Sequence, residues 1–162
     1  MNEVGCFGKL PAHGDFIWQA LPTEFVTPWD NWLQENLLSL QGSMGDDWLE
    51  TYLCGAIWRF VISDETLGPN SWGGIITPSV DMVGRYFPFT IACELPRYAS
   101  VISSARTLSP WFEHLEDCIL GALENALPLE EIMKSARSVV VPEVGEREAD
   151  EQAAARDLWC VT

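Results

Sequence analysis

The chain has 162 residues, 48% of them hydrophobic, with nine basic and 24 acidic side chains for a formal charge of −15. The length is that of one domain able to bury a real core. The charge removes the basic footprint that nucleic acid requires and opposes an anionic membrane surface, leaving a basic protein surface as the natural partner.

In chain order, Val4 to Phe7 predicts a first short strand, and the Gly8–Asp15 stretch a shaped loop. Phe16-Ile17-Trp18 predicts a second strand, ended by Leu21-Pro22. Thr27 reads as an N-cap with Pro28 at the first helical position and Asp30 complementing the dipole. Trp29, Trp32, Leu33, Leu37 and Leu40 then recur at helical spacing, up to Gly42 and Gly45. A shorter helix is expected over Asp46 to Leu53.

The middle third changes period. Ala56, Trp58, Phe60 and Ile62 alternate with Ile57, Arg59 and Val61, and both sets are largely apolar. That pattern suits a strand covered on both faces. Trp72–Thr77 and Phe87–Leu95 follow as further strands, so the three predict an antiparallel meander. Ser109-Pro110 opens a helix whose apolar stripe runs through Trp111, Phe112, Leu115, Cys118, Ile119 and Ala122. Pro128 ends it, and Leu129–Val140 predicts another. Residues 143–157 hold six acidic and two basic side chains, a solvated helix or frayed tail. The expected organisation is therefore an α+β domain over residues 1–142, an antiparallel β-sheet flanked by helices, with an acidic C-terminal helix or tail over 143–162.

Eight tryptophans divide between core anchors and a binding face. Cys6, Cys54, Cys93, Cys118 and Cys160 form no CxxC pair and have apolar neighbours. They read as reduced core thiols of a cytosolic protein. No apolar run approaches the roughly 20 residues that span a bilayer. The first residues lack the basic flank and apolar run of a signal peptide.

Two segments carry most of the chemistry: Gly8–Phe16 and Pro78–Pro88. Each mixes Gly, Pro, charge and an aromatic ring, which suits neither a plain helix nor a plain strand. They read as loops that present Lys9, His13, Asp15, Asp81 and Arg85 in fixed places. A phosphate-loop reading of Gly8-Lys9 fails: Gly5 lies only three positions before Gly8, and Leu10 replaces the metal-binding hydroxyl. Only His13 and His114 are present, which excludes a multi-histidine metal site. A hydrolase using Ser79, His13 and Asp15 is the enzymatic alternative, although Ser79 lacks the Gly-x-Ser-x-Gly elbow. The plainer reading makes Asp15 a residue that caps or orients a turn and His13 a surface loop residue. Arg59 lies on a strand facing the same side as Ile57 and Val61, so its charge must be paired or reach the rim, with Asp15 and Asp81 as candidate partners. Arg85 competes for the same acids. Tyr86 and Phe87 belong mostly to strand and core.

At these residues the sequence resembles the TagF (ImpM) family of type VI secretion system-associated proteins. Its pattern stands here as Gly5–Phe16, Leu21-Pro22 and Pro28-Trp29-Asp30-Asn31-Trp32-Leu33, then as Trp58-Arg59-Phe60 and Pro78–Pro88. The resemblance implies a longin-like fold and a cytoplasmic accessory protein with no enzyme activity and no cofactor. It also implies a post-translational repressor acting through a forkhead-associated scaffold protein. The expected binding or site-framing residues are Lys9, Pro11, His13, Asp15, Phe16, Arg59, Ser79, Asp81, Arg85, Tyr86 and Phe87.

Overall fold

The computed structural model describes residues 3–97, 99–145 and 159–161. The elements are β1 (Gly5–Gly8), β2 (Ile17–Gln19), α1 (Thr23–Met44), a 3-10 turn (Gly45–Asp47), α2 (Trp48–Leu53) and β3 (Trp58–Ile62). Then come β4 (Ser71–Thr77), β5 (Phe89–Leu95), α3 (Val101–Thr107), α4 (Ser109–Asn125), α5 (Leu129–Ala136) and β6 (Trp159–Val161). The strands form one six-stranded sheet in the order β2-β1-β5-β4-β3-β6. Each neighbouring pair is antiparallel. The molecule is thus α+β, and β3, β4 and β5 form the expected meander.

Strand alternation sends neighbouring side chains to opposite faces of the sheet. On one face Phe60, Ile62 and Trp72 pack with Phe25, Trp29 and Leu33 of α1. On the other, Val61, Ile75, Ile91 and Cys93 pack with Leu108, Trp111, Leu115 and Ile119 of the C-terminal helices. Trp29 anchors the first core: its ring packs between Phe25, Trp32 and Phe60, and its indole N–H donates to Thr90 Oγ1 at 2.9 Å.

Several elements depart from the sequence pattern. The first long helix starts at Thr23, with Pro22 at the cap position, and Pro28 lies inside it. Phe25 and Val26 are buried, so their packing recruits an extra turn upstream of Pro28. The amide N–H groups of Phe25 and Val26 close that turn on the Pro22 carbonyl. Helix α3 was not expected, because Val101–Thr107 is short and polar; Ser100 caps it by accepting from the Ser103 N–H. Ser109 lies just inside α4, with Leu108 at its cap position. Helix α5 stops at Ala136, short of Val140. The expectation for the acidic 143–157 segment falls mainly on 146–157, outside the described residues, and β6 is a three-residue strand paired with β3.

The cysteines are not uniformly core residues. Cys6 and Cys93 are buried, and burial pushes each thiol up to about 12. Cys54, by contrast, is exposed beyond the end of α2. Among the described residues, no helix is long and apolar enough to cross a membrane.

Candidate functional site

The two loops singled out above meet at one end of the sheet. β1 runs out at Gly8, which pairs with Phe89 at the start of β5, and β4 ends at Thr77, which also pairs with Phe89. The chain leaving β1 and the connection from β4 to β5 therefore emerge side by side. At Gly8 the backbones nearly touch: an added Cβ would lie 2.0 Å from the Pro88 carbonyl oxygen.

Asp81 ties the loops together. Its Oδ1 accepts from the backbone N–H groups of Val83 at 3.0 Å and Arg85 at 2.9 Å, which closes the Asp81–Arg85 turn. Its Oδ2 accepts from Lys9 Nζ at 2.9 Å and Arg85 Nε at 2.7 Å. Lys9 and Asp81 are both buried, so each charge depends on the other. Burial alone would raise the Asp81 carboxyl. The Arg85 N–H, the Lys9 ammonium, the Arg85 guanidinium and the Val83 N–H outweigh it and hold the group well below the usual carboxylate range. Two more bonds cross between loops: Met82 N–H donates to the His13 carbonyl at 2.9 Å, and the Arg85 guanidinium donates to the Gly14 carbonyl.

A layer of rings covers this polar knot. Lys9 Nζ lies 5.0 Å from the Phe16 ring centre, a cation–π distance. Phe16 packs edge-on against Phe87 at 4.8 Å and stacks on Phe7 at 5.8 Å. Phe87 is buried, but Phe16 remains 51% exposed, and Met82 and Val83 at the opposite loop tip are 64% and 66% exposed. The site is thus an exposed apolar crest standing on a buried ionic support.

Tyr52 of α2 holds the start of the second loop. Its hydroxyl donates to the Ser79 carbonyl and accepts from the Ser79 N–H, both at 2.9 Å. Burial pushes the phenol up to about 12, so the donor proton stays in place near neutral pH. Tyr86 packs against Tyr52 and Trp48. Pro11 lies half-buried in the turn closed by the His13 N–H on the Leu10 carbonyl.

Three expectations need correction. Arg59 pairs with neither Asp15 nor Asp81. It grips Glu116 of α4 with two bonds of 2.7 and 2.8 Å, its guanidinium over the Phe112 ring. Its alternation with Phe60 was read correctly, and that parity sends Arg59 to the α4 face, away from the loops. Asp15 is exposed and makes no ion pair or side-chain hydrogen bond among the described residues; it caps nothing. His13 is no free surface residue: its Nε2 accepts from the Leu129 N–H at 3.1 Å, linking the first loop to the start of α5.

The arrangement does not assemble the Ser79–His13–Asp15 set. Ser79 Oγ is buried without a hydrogen-bond partner, and His13 Nε2 is occupied by Leu129. Among the described residues, no group of three or more His, Cys, Asp or Glu side chains is placed to hold a metal. The sequence reading missed Tyr52, Glu116 and the exposed Met82–Val83 tip. Of these, only the tip had a visible signal, two apolar residues inside a Gly- and Asp-containing turn.

Fold and loops together define a class: a small α+β protein whose two motif-bearing loops converge at one end of an antiparallel sheet. The family described as the TagF N-terminal domain, type VI secretion system-associated, matches residues 5–139, and the chain belongs to it. A solved structure, PA0076 from Pseudomonas aeruginosa PAO1, is similar, with 38% identity and a TM-score of 0.83. The match covers 88% of this chain and 64% of that one, so the chain spans less than two thirds of that neighbour's length. Comparison with curated proteins gives no match.

Proposed function

We propose that this protein is a cytoplasmic accessory regulator of a type VI secretion system, a post-translational repressor that binds a forkhead-associated scaffold protein. One observation carries the binding-module reading: an exposed crest of Phe16, Met82 and Val83 is fixed from beneath by a buried Lys9–Asp81–Arg85 cluster. Docking surfaces gain most from apolar side chains held rigid before the partner arrives. Membership of a secretion-associated family supports the setting. The repressor role and the scaffold partner come from the family resemblance in the motifs. An accessory binding role, not an enzymatic one, follows from the same reading.

Secretion assayed in a deletion strain tests it. Removing the gene should raise effector release, and restoring the wild-type chain should lower it again. A Met82→Ser, Val83→Ser chain, altered only at the exposed loop tip, should fail to restore repression while accumulating to normal levels. Abolished secretion in the deletion strain would instead mark a structural subunit of the apparatus and overturn the repressor reading.

A further inference from the structure

A second feature lies on the α1 face of the sheet, at the foot of the Ser79–Phe87 loop. Here Trp32, Leu37 and Leu40 of α1 stand opposite Trp58, Ile76 and Pro88 across an open groove of about 340 Å³. The lining is almost wholly carbon, and Trp58 is 39% exposed, a large ring at a strand end with one side unpacked. A cleft of this volume lies at the lower end of the range that binding sites occupy.

The charge of the elements that border the groove says what kind of partner fits. Residues 10–58, which include α1 and α2, contain seven carboxylates and no lysine or arginine. Glu35 on α1, Asp46 and Asp47 in the 3-10 turn, and Glu50 on α2 are all exposed on elements that border the groove; none of them lines it, so they act on a partner through the local field and not by contact. A second copy of this chain would bring the same acids against themselves, and an anionic membrane or nucleic acid would be repelled outright. What remains is a protein segment with an apolar ridge flanked by lysine or arginine.

The backbone selects its conformation. Trp58 and Ile76 are already paired with each other across β3 and β4, so the floor offers no free strand edge. An extended peptide would enter with its own N–H and C=O groups unpaired, whereas a helix satisfies them internally. We infer that this groove receives a basic amphipathic helix of a partner protein, with apolar anchors seated between Trp32, Leu37 and Trp58. The inference concerns lining residues other than those of the Phe16 crest, on the same side of the sheet, and does not depend on the repressor reading.

The test uses the full chain and a synthetic amphipathic helix of about 15 residues, with Leu and Trp on one face and Lys and Arg on the other. A second peptide keeps the apolar face and replaces every basic residue by Glu. Calorimetry should show binding of the basic peptide that weakens as salt rises, and NMR should show the Trp32 and Trp58 indole signals shifting. Leu37→Asp should weaken binding by about tenfold or more. Because Leu37 is half-buried, Glu35→Lys with Glu50→Lys offers a charge reversal outside the core, and it should also weaken binding. Phe16→Ser should bind as wild type does. Equal binding of the acidic peptide, shifts confined to the crest, unchanged affinity in the charge-reversed variant, or a dimer that already covers Trp58 would each overturn the inference.

Discussion

Replacing Asp81 by Ala is expected to lower the melting temperature by roughly 10 °C, because it strands a buried lysine without its counter-ion. Lys9 and Asp81 are 5% and 3% exposed, so water cannot take over the lost interaction. Arg85 is less critical, since its side chain is 56% exposed and Asp81 keeps Lys9 as its counter-ion when Arg85 is removed. Arg85→Ala should therefore cost less, and Asp15→Ala almost nothing. A double variant, Lys9→Met with Asp81→Asn, should be more stable than the sum of its single losses, as coupled neighbours require. The same carboxylate gives a pH signature. Its value in the folded chain lies well below the ordinary one, so on acidification the unfolded chain takes the proton first. Its contribution is complete above the ordinary Asp value of about 4 and is lost as pH falls further toward the folded value. The stability gap between wild type and Asp81→Asn, measured by urea unfolding, should be constant near neutrality and narrow below about pH 4. A gap unchanged down to about pH 2 would mean that the charge of Asp81 does no structural work.

Gly8→Ala should be at least as damaging, at roughly 4 kcal/mol or more, in the range reserved for steric failure at a fixed backbone. The φ of Gly8 is +130°, a conformation that side-chain-bearing residues rarely adopt. The added carbon would also strike the Pro88 carbonyl, and both partners are backbone, so neither can swing aside. Relief would require β1 and the entry to β5 to separate, which would pull the loops apart. Gly14→Ala, only six residues along the same loop, is the control: nothing lies within 4 Å of its added carbon, so its unfolding midpoint should stay close to that of wild type. Equal effects at the two glycines would contradict the close approach at Gly8.

Arg59 shows that buried charge is not the whole of stability. Its bidentate pair with Glu116 is about a quarter exposed on each side. Pairs of that kind contribute up to about 1 kcal/mol. The ring cluster around Trp29 outweighs it, since truncating a buried aromatic costs about 3–5 kcal/mol.

How far the sequence revealed this molecule depends on the range of each signal. The parity of Ile57, Arg59 and Val61 is a property of one strand, and it correctly put Arg59 among apolar neighbours. Which carboxylate would meet it was not legible, because that depends on which helix packs above and at what turn; Glu116 lies 57 residues away. The two loops were recognisable from their Gly, Pro and charge content, and their convergence was expected. The assignment inside them was shuffled: Asp81 was given to Arg59, whereas its buried partner is Lys9, from the adjacent loop. Pro28 misplaced the start of α1 because a local rule about first turns was set against burial of Phe25 and Val26, and burial won. Tyr52 and Leu129 left no trace in the sequence, since they act through a single hydroxyl and a single backbone N–H. An antiparallel sheet between helices fits the longin-like expectation.

In the proposed role, the ionic knot holds an apolar crest ready for the scaffold. The most direct measurement is a calorimetric titration of the forkhead-associated scaffold protein with wild type and a Met82→Ser, Val83→Ser variant. Both side chains are about two-thirds exposed at the loop tip, so the variant should melt with wild type. Its affinity should fall by about tenfold or more, as when central apolar anchors are removed. Wild-type affinity in a variant that melts normally would contradict it.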